Sequence, residues 1–417
     1  MVSVVLTVII FRNFLFSRGL AQSGDLRWPY YSEQMSPHLW YGQLSTFYRF
    51  PQQLIIWSWL WTIFSFSPWL AERVMYFFVF TVMGFTAFYT TYKFSSRGNV
   101  GEISSFLAGI SGMVIYVINP LTVYYMTHIF LLLGYALLPL LFYFAYNAFD
   151  DIENFSRKDL LLNAVFIAMI LTFMSGDPRW VVWGFLVLLC TMVLSLVYQR
   201  SSLRLKSKKA LMFFISLGFF YVLFNSFWVV PALNMLFTEA SPLTGHSINI
   251  QLYSGLNQYS NILNVFRLQA DCWKPSRAFF ALEGMWSKVW FVSGVLVPLI
   301  AFTAVIFRWK EKTVRLLSLL CIFSVLLASA PMSPILAVKS FYQWVVFQAP
   351  FGVLWRTAYK WALLLPLTYS ILTGFTFQEI YKRIPKLEKL GRRKILSIGI
   401  LALLLFPTFV SAWPLLT

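Results

Sequence analysis

The sequence predicts an all-α membrane protein with about eleven transmembrane helices and a large first outer loop that contains interfacial helices. Of the 417 residues, 59% are hydrophobic and only 12% are charged, whereas roughly a quarter of residues are charged in soluble proteins. Mean hydropathy is +0.70. Apolar stretches of about the length that crosses a bilayer recur with short polar breaks between them. We therefore interpret residues 1–417 as a single polytopic membrane domain.

Eleven apolar runs predict the spanning helices. The first run, Val2–Phe16, has no basic segment before it, which favours an uncleaved span over the alternative of a signal peptide that ends near Ala21. The third run ends at Asn119-Pro120, because proline does not continue a helix. The other ten runs are Trp69–Lys93, Ile103–Ile118, Ile129–Phe149, Leu160–Met174, Trp180–Tyr198, Ala210–Val230, Val289–Phe307, Val314–Ala330, Trp361–Phe377 and Ile395–Val410.

The first outer loop contains a further apolar stretch, Gln52–Phe66, between Pro51 and Pro68. It is short for a span and rich in tryptophan, a residue that favours the membrane interface. We therefore expect this stretch to lie on the membrane surface or to dip into it.

Basic residues orient the predicted spans. Of the 33 Lys and Arg residues, 20 fall in five short breaks between spans, and the positive-inside rule assigns such loops to the cytoplasm. The long segments 17–68, 231–288 and 331–360 are then outside. This topology accounts for the net charge of +18 without nucleic acid as a partner. The basic breaks contain Lys93 and Arg97; Arg157 and Lys158; Arg200, Arg204, Lys206, Lys208 and Lys209; Arg308, Lys310, Lys312 and Arg315; and Lys382 to Lys394.

Several function classes are disfavoured by what the sequence lacks. Three cysteines and three scattered histidines give neither a disulfide framework nor a site with several histidine ligands. No glycine-rich phosphate loop of the nucleotide-binding types is present. The spans contain few ionisable residues, which disfavours an ion-driven carrier. The remaining candidates for chemistry lie in the outer segments.

Two acids, each followed by Arg-Trp, are predicted at the outer membrane boundary. Asp25 lies in Gly-Asp-Leu-Arg-Trp-Pro after the first span, and Asp177 lies in Ser-Gly-Asp-Pro-Arg-Trp between the fifth and sixth spans. A partly desolvated carboxylate there could act as a general base or bind a metal. A solvated loop acid or helix cap for Asp25, and an Asp-Pro turn for Asp177, are the alternatives. Arg27, Trp28 and Arg179 accompany these acids as candidate substrate-binding residues.

Three cations complete the predicted site. Arg356 and Lys360 are four residues apart just before the tenth span, so an α-helix would present both on one face. Such a pair suits the phosphate of a lipid-linked donor, and a snorkelling pair that anchors a helix end is the alternative. Arg267 belongs to a charged, aromatic outer segment that either lines an acceptor groove or forms an interfacial cap.

These motifs resemble a known family. A first span followed by Gly24-Asp25 and Pro29 is similar to the multi-spanning glycosyltransferases of the GT-C superfamily, whose catalytic acid lies in the first outer loop. Other short motifs resemble the YfhO-like and arabinofuranosyltransferase-like branch of archaeal and bacterial membrane proteins. These motifs are Asn119-Pro120, Gly134 to Pro139, Gly176-Asp177-Pro178-Arg179, and Trp355-Arg356 with Lys360.

The resemblance implies a plasma-membrane enzyme of cell-envelope glycan synthesis. Such an enzyme transfers a hexosyl or pentosyl group from a polyprenyl-phosphate donor to a glycan, lipid or protein on the extracytoplasmic face. Asp25 would be the base for the acceptor hydroxyl, and Asp177 a second acid for the acceptor or a metal. Arg356 and Lys360 would bind the donor phosphate. A divalent cation stays open as a cofactor.

The sequence also departs from the family pattern. It has no second acid adjacent to Asp25, lacks a Trp-Trp-Asp signature, and ends soon after Ser411 without a large external domain. We expect that a C-terminal external domain is missing or encoded separately. The alternative hypothesis is a non-catalytic protein derived from this fold, either a lipid-linked glycan transporter or a membrane scaffold.

Overall fold

A computed structural model describes most of the chain as helices. The described residues are 2–16, 68–98, 101–125, 129–150, 152–175, 178–198, 203–237, 250–270, 285–349, 352–383 and 390–412. Within these ranges the regular structure consists of α-helices and short 3₁₀ helices. The stretch predicted to be interfacial, Gln52–Phe66, lies outside the described residues.

Fifteen α-helices follow one another in the described part of the chain. Three 3₁₀ helices lie among the later ones, at Ala330–Met332, Gly352–Trp355 and Ala358–Leu364. In chain order the α-helices are α1 Val2–Leu15, α2 Pro68–Ser96, α3 Glu102–Val117, α4 Pro120–Tyr125, α5 Ile129–Asp150, α6 Arg157–Met174, α7 Pro178–Tyr198, α8 Leu203–Phe237, α9 Ile250–Asn257, α10 Ile262–Phe266, α11 Met285–Arg308, α12 Lys312–Ser329, α13 Leu336–Phe347, α14 Leu365–Arg383 and α15 Leu390–Ser411.

Ten of the eleven predicted apolar runs each overlap one α-helix, and the tenth, Trp361–Phe377, begins in the 3₁₀ helix Ala358–Leu364 and continues into α14. The all-α prediction is therefore confirmed for the described part of the chain. Six of these helices are long and apolar enough to cross a membrane, and two shorter ones, at Glu102–Val117 and Ile395–Ser411, are also apolar. The protein therefore has the architecture of a helical membrane protein. The six long segments are Arg73–Ser96, Leu131–Asp150, Arg179–Val197, Leu205–Ser226, Lys288–Arg308 and Lys312–Met332.

Large apolar side chains cover the outer faces of these helices. Phe78, Phe219, Ile306 and Leu403 are each more than half exposed, and Ile306 reaches 79%. Continuous apolar surface of this kind is costly in water. Because each helix satisfies its own backbone hydrogen bonds, these faces suit contact with lipid chains.

The first of two compact units comprises Met1–Ala87 and Thr122–Tyr221. In it, α5 packs against α6 and α7. Gly134 of α5 lies against the Trp180 ring, where a Cβ atom would come within 2.2 Å of the indole. Trp180 also donates a hydrogen bond from Nε1 to the Leu131 carbonyl, at 2.8 Å. Glycine therefore permits the close approach of α5 and α7.

The second unit comprises Phe88–Leu121 and Val222–Leu415. Helix α14 forms its centre, because its residues Leu365–Gln378 are all buried and it packs against α3 and α11. A Cβ atom at Gly374 would lie 2.5 Å from the Thr91 methyl group. Small side chains in α14 thus let its neighbours approach the backbone closely.

A buried ion network joins α11 to the end of α14. Arg308, which is 7% exposed, donates from Nε to Glu311 at 2.5 Å and from Nη1 to the Gln378 side-chain oxygen at 3.1 Å. Its Nε also lies 3.8 Å from a Glu379 oxygen. Gln378 in turn donates to the Ser95 carbonyl at 2.8 Å. The buried charge of Arg308 is therefore compensated by acids and by an amide.

Candidate functional site

The structure describes four of the eight residues predicted for the site. Arg179 is half-buried in the first turn of α7, in the first unit. Arg267, Arg356 and Lys360 belong to the second unit. The other four, Asp25, Arg27, Trp28 and Asp177, lie outside the described residues. That Asp25 and Asp177 lie close to these cations therefore stays a prediction.

Arg356 and Lys360 do not share an α-helix, which corrects the geometry expected from their spacing. The 3₁₀ helix Gly352–Trp355 ends directly before Arg356, and the next 3₁₀ helix begins at Ala358. A 3₁₀ helix has three residues per turn, so the rule that residues four apart share a face does not apply. Arg356 itself lies in the break between the two helices and is exposed, whereas Lys360 is half-buried.

Asn257 holds the backbone on both sides of this break. Its Nδ2 donates to the Arg356 carbonyl at 2.8 Å, and its Oδ1 accepts from the Ala358 amide at 2.9 Å. The same Nδ2 donates to the Tyr253 carbonyl at 2.8 Å. Asn257 is only 2% exposed, so these bonds are shielded from competing water. One buried amide therefore supplies the partners that a continuous helix would otherwise provide.

Aromatic contacts fix the residue before Arg356. The Tyr342 hydroxyl donates to the Trp355 carbonyl at 2.7 Å, and burial raises the pKa of Tyr342 well above its ordinary value. This hydroxyl therefore stays protonated and can donate. The Trp355 and Trp361 rings stack with centres 4.6 Å apart. Arg356 is thus an exposed cation on a backbone fixed from both sides.

Arg267 does not line an open groove as the outer position of its segment suggested. It follows the last residue of α10 and is only 4% exposed. Its guanidinium carbon lies 3.9 Å from the Phe291 ring centre and 5.5 Å from the Trp290 ring centre. Burial lowers the pKa of Arg267 to about 10, because the charged form is desolvated.

Two polar residues near these cations were missed by the sequence reasoning. Asn257 positions Arg356, and Gln269 is a 4% exposed neighbour of Arg267. An amide in an otherwise apolar segment is a weak signal, because asparagine and glutamine also occur there as caps and turn residues. Their importance becomes visible only from the partners they meet in the fold.

The described residues contain no group of three or more His, Cys, Asp or Glu that could hold a metal ion. No family model, characterised protein or solved structure matches this chain. The resemblance to GT-C glycosyltransferases therefore rests on the sequence motifs, and the structure adds the geometry around Arg356 and Arg267.

Proposed function

We propose that the protein is a GT-C type glycosyltransferase of the plasma membrane that crosses the bilayer about eleven times. In this proposal it transfers a sugar from a polyprenyl-phosphate donor to an acceptor on the extracytoplasmic face. The alternation of helices and basic breaks supports the topology, since basic residues follow the ends of α2, α11 and α14. The long segments that carry Asp25, Arg267 and Arg356 then share the outer side.

The fixed backbone around Arg356 carries the proposal. Asn257 and Tyr342 hold the backbone on both sides of Arg356, so no backbone segment has to be ordered when this cation binds an anion. Guanidinium groups bind phosphate through paired hydrogen bonds. These properties support Arg356 as a donor-phosphate ligand, with Lys360 adding positive charge nearby in the sequence.

The proposed reaction is a single displacement. The acceptor hydroxyl oxygen attacks the anomeric carbon of the donor and forms the new glycosidic bond, while Asp25 takes the hydroxyl proton. The bond between the anomeric carbon and the phosphate oxygen breaks, and its electron pair leaves with polyprenyl phosphate. Arg356 and Lys360 stabilise the charge on this leaving group. Asp177 orients the acceptor or a divalent cation.

Replacing the proposed base tests the reaction. Asp25→Asn keeps the size of the side chain but removes its basicity, so we expect the rate of sugar transfer to fall about 10² to 10⁴-fold. Transfer is measured with purified protein and a panel of polyprenyl-phosphate sugars. Glu102→Gln, at an exposed acid that begins α3, is the control and should retain activity. Full activity of Asp25→Asn would rule out the assigned base.

Replacing the proposed phosphate ligand separates binding from chemistry. We expect Arg356→Gln to raise KM for the donor and to lower kcat, because the leaving group gains charge in the transition state. Lys339→Gln, at an exposed lysine of α13, is the matched control. If the unaltered protein binds these donors without transferring sugar from any of them, the alternative of a lipid-linked glycan transporter or scaffold is favoured.

A further inference from the structure

A short turn after α10 brings two polar side chains to one place on α11. Leu268 in this turn has φ of 60°, a left-handed conformation that side chains other than glycine adopt rarely. Backbone bonds from Leu268 to Val265, at 2.9 Å, and from Gln269 to Asn264, at 2.8 Å, hold it. We call residues 267–269 the Arg267 turn.

Both polar side chains of the Arg267 turn face Gly294 of α11. A Cβ atom built on Gly294 would lie 2.9 Å from Gln269 Nε2 and 3.2 Å from Arg267 Nε. The two side chains therefore lie next to the same stretch of helix backbone. Glycine at this position leaves room for both.

Three polar atoms of the turn have no hydrogen-bond partner in the part of the chain that the structure describes. They are Arg267 Nε and both amide atoms of Gln269, and all are buried. Among the described residues, the one hydrogen bond of the Arg267 side chain, from Nη1 to Asn264 Oδ1, is long at 3.5 Å. Buried polar groups in proteins nearly always have partners, and a buried charge without an acid is costly. This concentration of unmet groups indicates that a ligand completes the site.

We propose that the Arg267 turn binds the phosphate of an amphiphile or a free phosphate ion, with Arg267 and Gln269 donating hydrogen bonds to its oxygens. The guanidinium group matches two phosphate oxygens at once. Gln269 Oε1 accepts from a hydroxyl group next to the phosphate, as in a glycerol head group. Phe291 and Val292 are 42% and 53% exposed on α11, so an acyl chain has apolar surface beside the head group.

This site does not depend on glycosyl transfer, so it can be tested in the purified protein without an activity assay. Delipidated protein in a non-ionic detergent is titrated with dioleoylphosphatidylglycerol, with inorganic phosphate, or with dioleoylglycerol as the uncharged control. We measure Tm and count bound lipid by native mass spectrometry. We expect phosphatidylglycerol to raise Tm and to remain bound, and dioleoylglycerol to do neither. A rise with inorganic phosphate of equal size identifies a free anion as the ligand, and no rise with either phosphate overturns the proposal.

Variants of the turn then locate the binding. Arg267→Met and Gln269→Leu should each weaken retention of phosphatidylglycerol at least tenfold, while Lys288→Gln, at an exposed lysine near the start of α11, should leave it unchanged. Gln269→Leu keeps the charge of Arg267, so it tests the site even if the other variant folds poorly. Equal weakening by Lys288→Gln would show general surface attraction and would refute the site.

The sign of the stability change gives an independent test. Without lipid, Arg267→Met removes a buried charge that has no acid partner among the described residues, so we expect its Tm to rise. An arginine with a purely structural role would give a lower Tm instead. That result overturns the proposal whatever the lipid measurement shows.

Discussion

Two buried arginines of the second unit differ in what surrounds their charge: Arg308 is the last residue of α11, and Arg267 packs against Trp290 and Phe291 near the start of that helix. Both are less than a tenth exposed, and both lie over an aromatic ring, at 4.2 Å from Phe375 and 3.9 Å from Phe291. Arg308 is bonded to Glu311 and lies near Glu379. Arg267 forms no ion pair with any of the described residues, and burial alone accounts for its lowered pKa.

The charge of Arg308 is paired within the fold, whereas the charge of Arg267 has no acidic partner among the described residues. Removing two charges from water is offset only by close pairing and hydrogen bonding. The region of Arg308 meets this condition within the chain. The region of Arg267 does not, so a bound anion would complete it.

The largest expected loss of stability comes from breaking the hydrogen-bond and ion-pair network of Arg308. Arg308→Met removes the close partner of Glu311 and leaves the Gln378 side-chain oxygen without its donor, whereas Glu379 keeps Lys382 at 2.6 Å. We therefore expect a loss of about 3 kcal/mol in the free energy of unfolding. Thermal unfolding in detergent measures this loss as a lower Tm. Lys310→Gln changes an exposed cation two residues away and should have little effect. An unchanged Tm for Arg308→Met would remove the basis of the comparison between the two arginines.

A second, smaller loss of stability is expected from replacing Asn257, a buried amide that can be compared with the buried amide of Gln269. Asn257 makes three hydrogen bonds, whereas the amide atoms of Gln269 make none among the described residues. We expect Asn257→Ala to cost about 2 kcal/mol of stability, because it leaves the Arg356 carbonyl and the Ala358 amide without partners. Gln269→Ala should cost much less in lipid-free protein. Both are measured as Tm, and equal losses would contradict the assignment of Gln269 to a ligand site.

The helices were predictable from sequence because each follows from a continuous apolar run. Even the ends agree closely at Ile129 and Met174, where an apolar run begins or stops abruptly. The tenth run was predicted less well. Its first residues, Trp361–Leu364, belong to the 3₁₀ helix Ala358–Leu364, and Asn257 accepts a hydrogen bond from the Ala358 amide at the start of that helix. A partner about a hundred residues away leaves no mark on local periodicity.

The candidate site was predictable in its residue types but not in its geometry. Arg267 and Arg356 have similar sequence surroundings, each with tryptophan and other cations in the same outer segment. The fold buries Arg267 against Phe291 and leaves Arg356 exposed. Burial of this kind depends on how α10 packs between neighbouring helices. Asp25 and Asp177 stay predictions from the motifs alone.

The smallest expected effect compares two glycines in helices of the second unit. A Cβ atom at Gly294 would meet the Gln269 amide and Arg267, whereas a Cβ atom at Gly399 of α15 would meet nothing within 4 Å. Alanine in place of glycine stabilises a helix interior by about 0.5–1 kcal/mol. Gly399→Ala should gain this amount and keep its lipid. Gly294→Ala should gain less, because the Gln269 amide must move aside.

Measuring lipid retention in Gly294→Ala and Gly399→Ala distinguishes a role of Gly294 in the phosphate site from a role in helix packing. If the Arg267 turn binds phosphate, displacement of the Gln269 amide in Gly294→Ala should weaken retention of phosphatidylglycerol even though Tm hardly changes. A glycine that serves only helix packing would alter Tm without altering retention. If the Gly294→Ala and Gly399→Ala variants retain phosphatidylglycerol equally, Gly294 serves helix packing. Arg267 and Arg308 would then differ in their effect on stability and not in lipid binding.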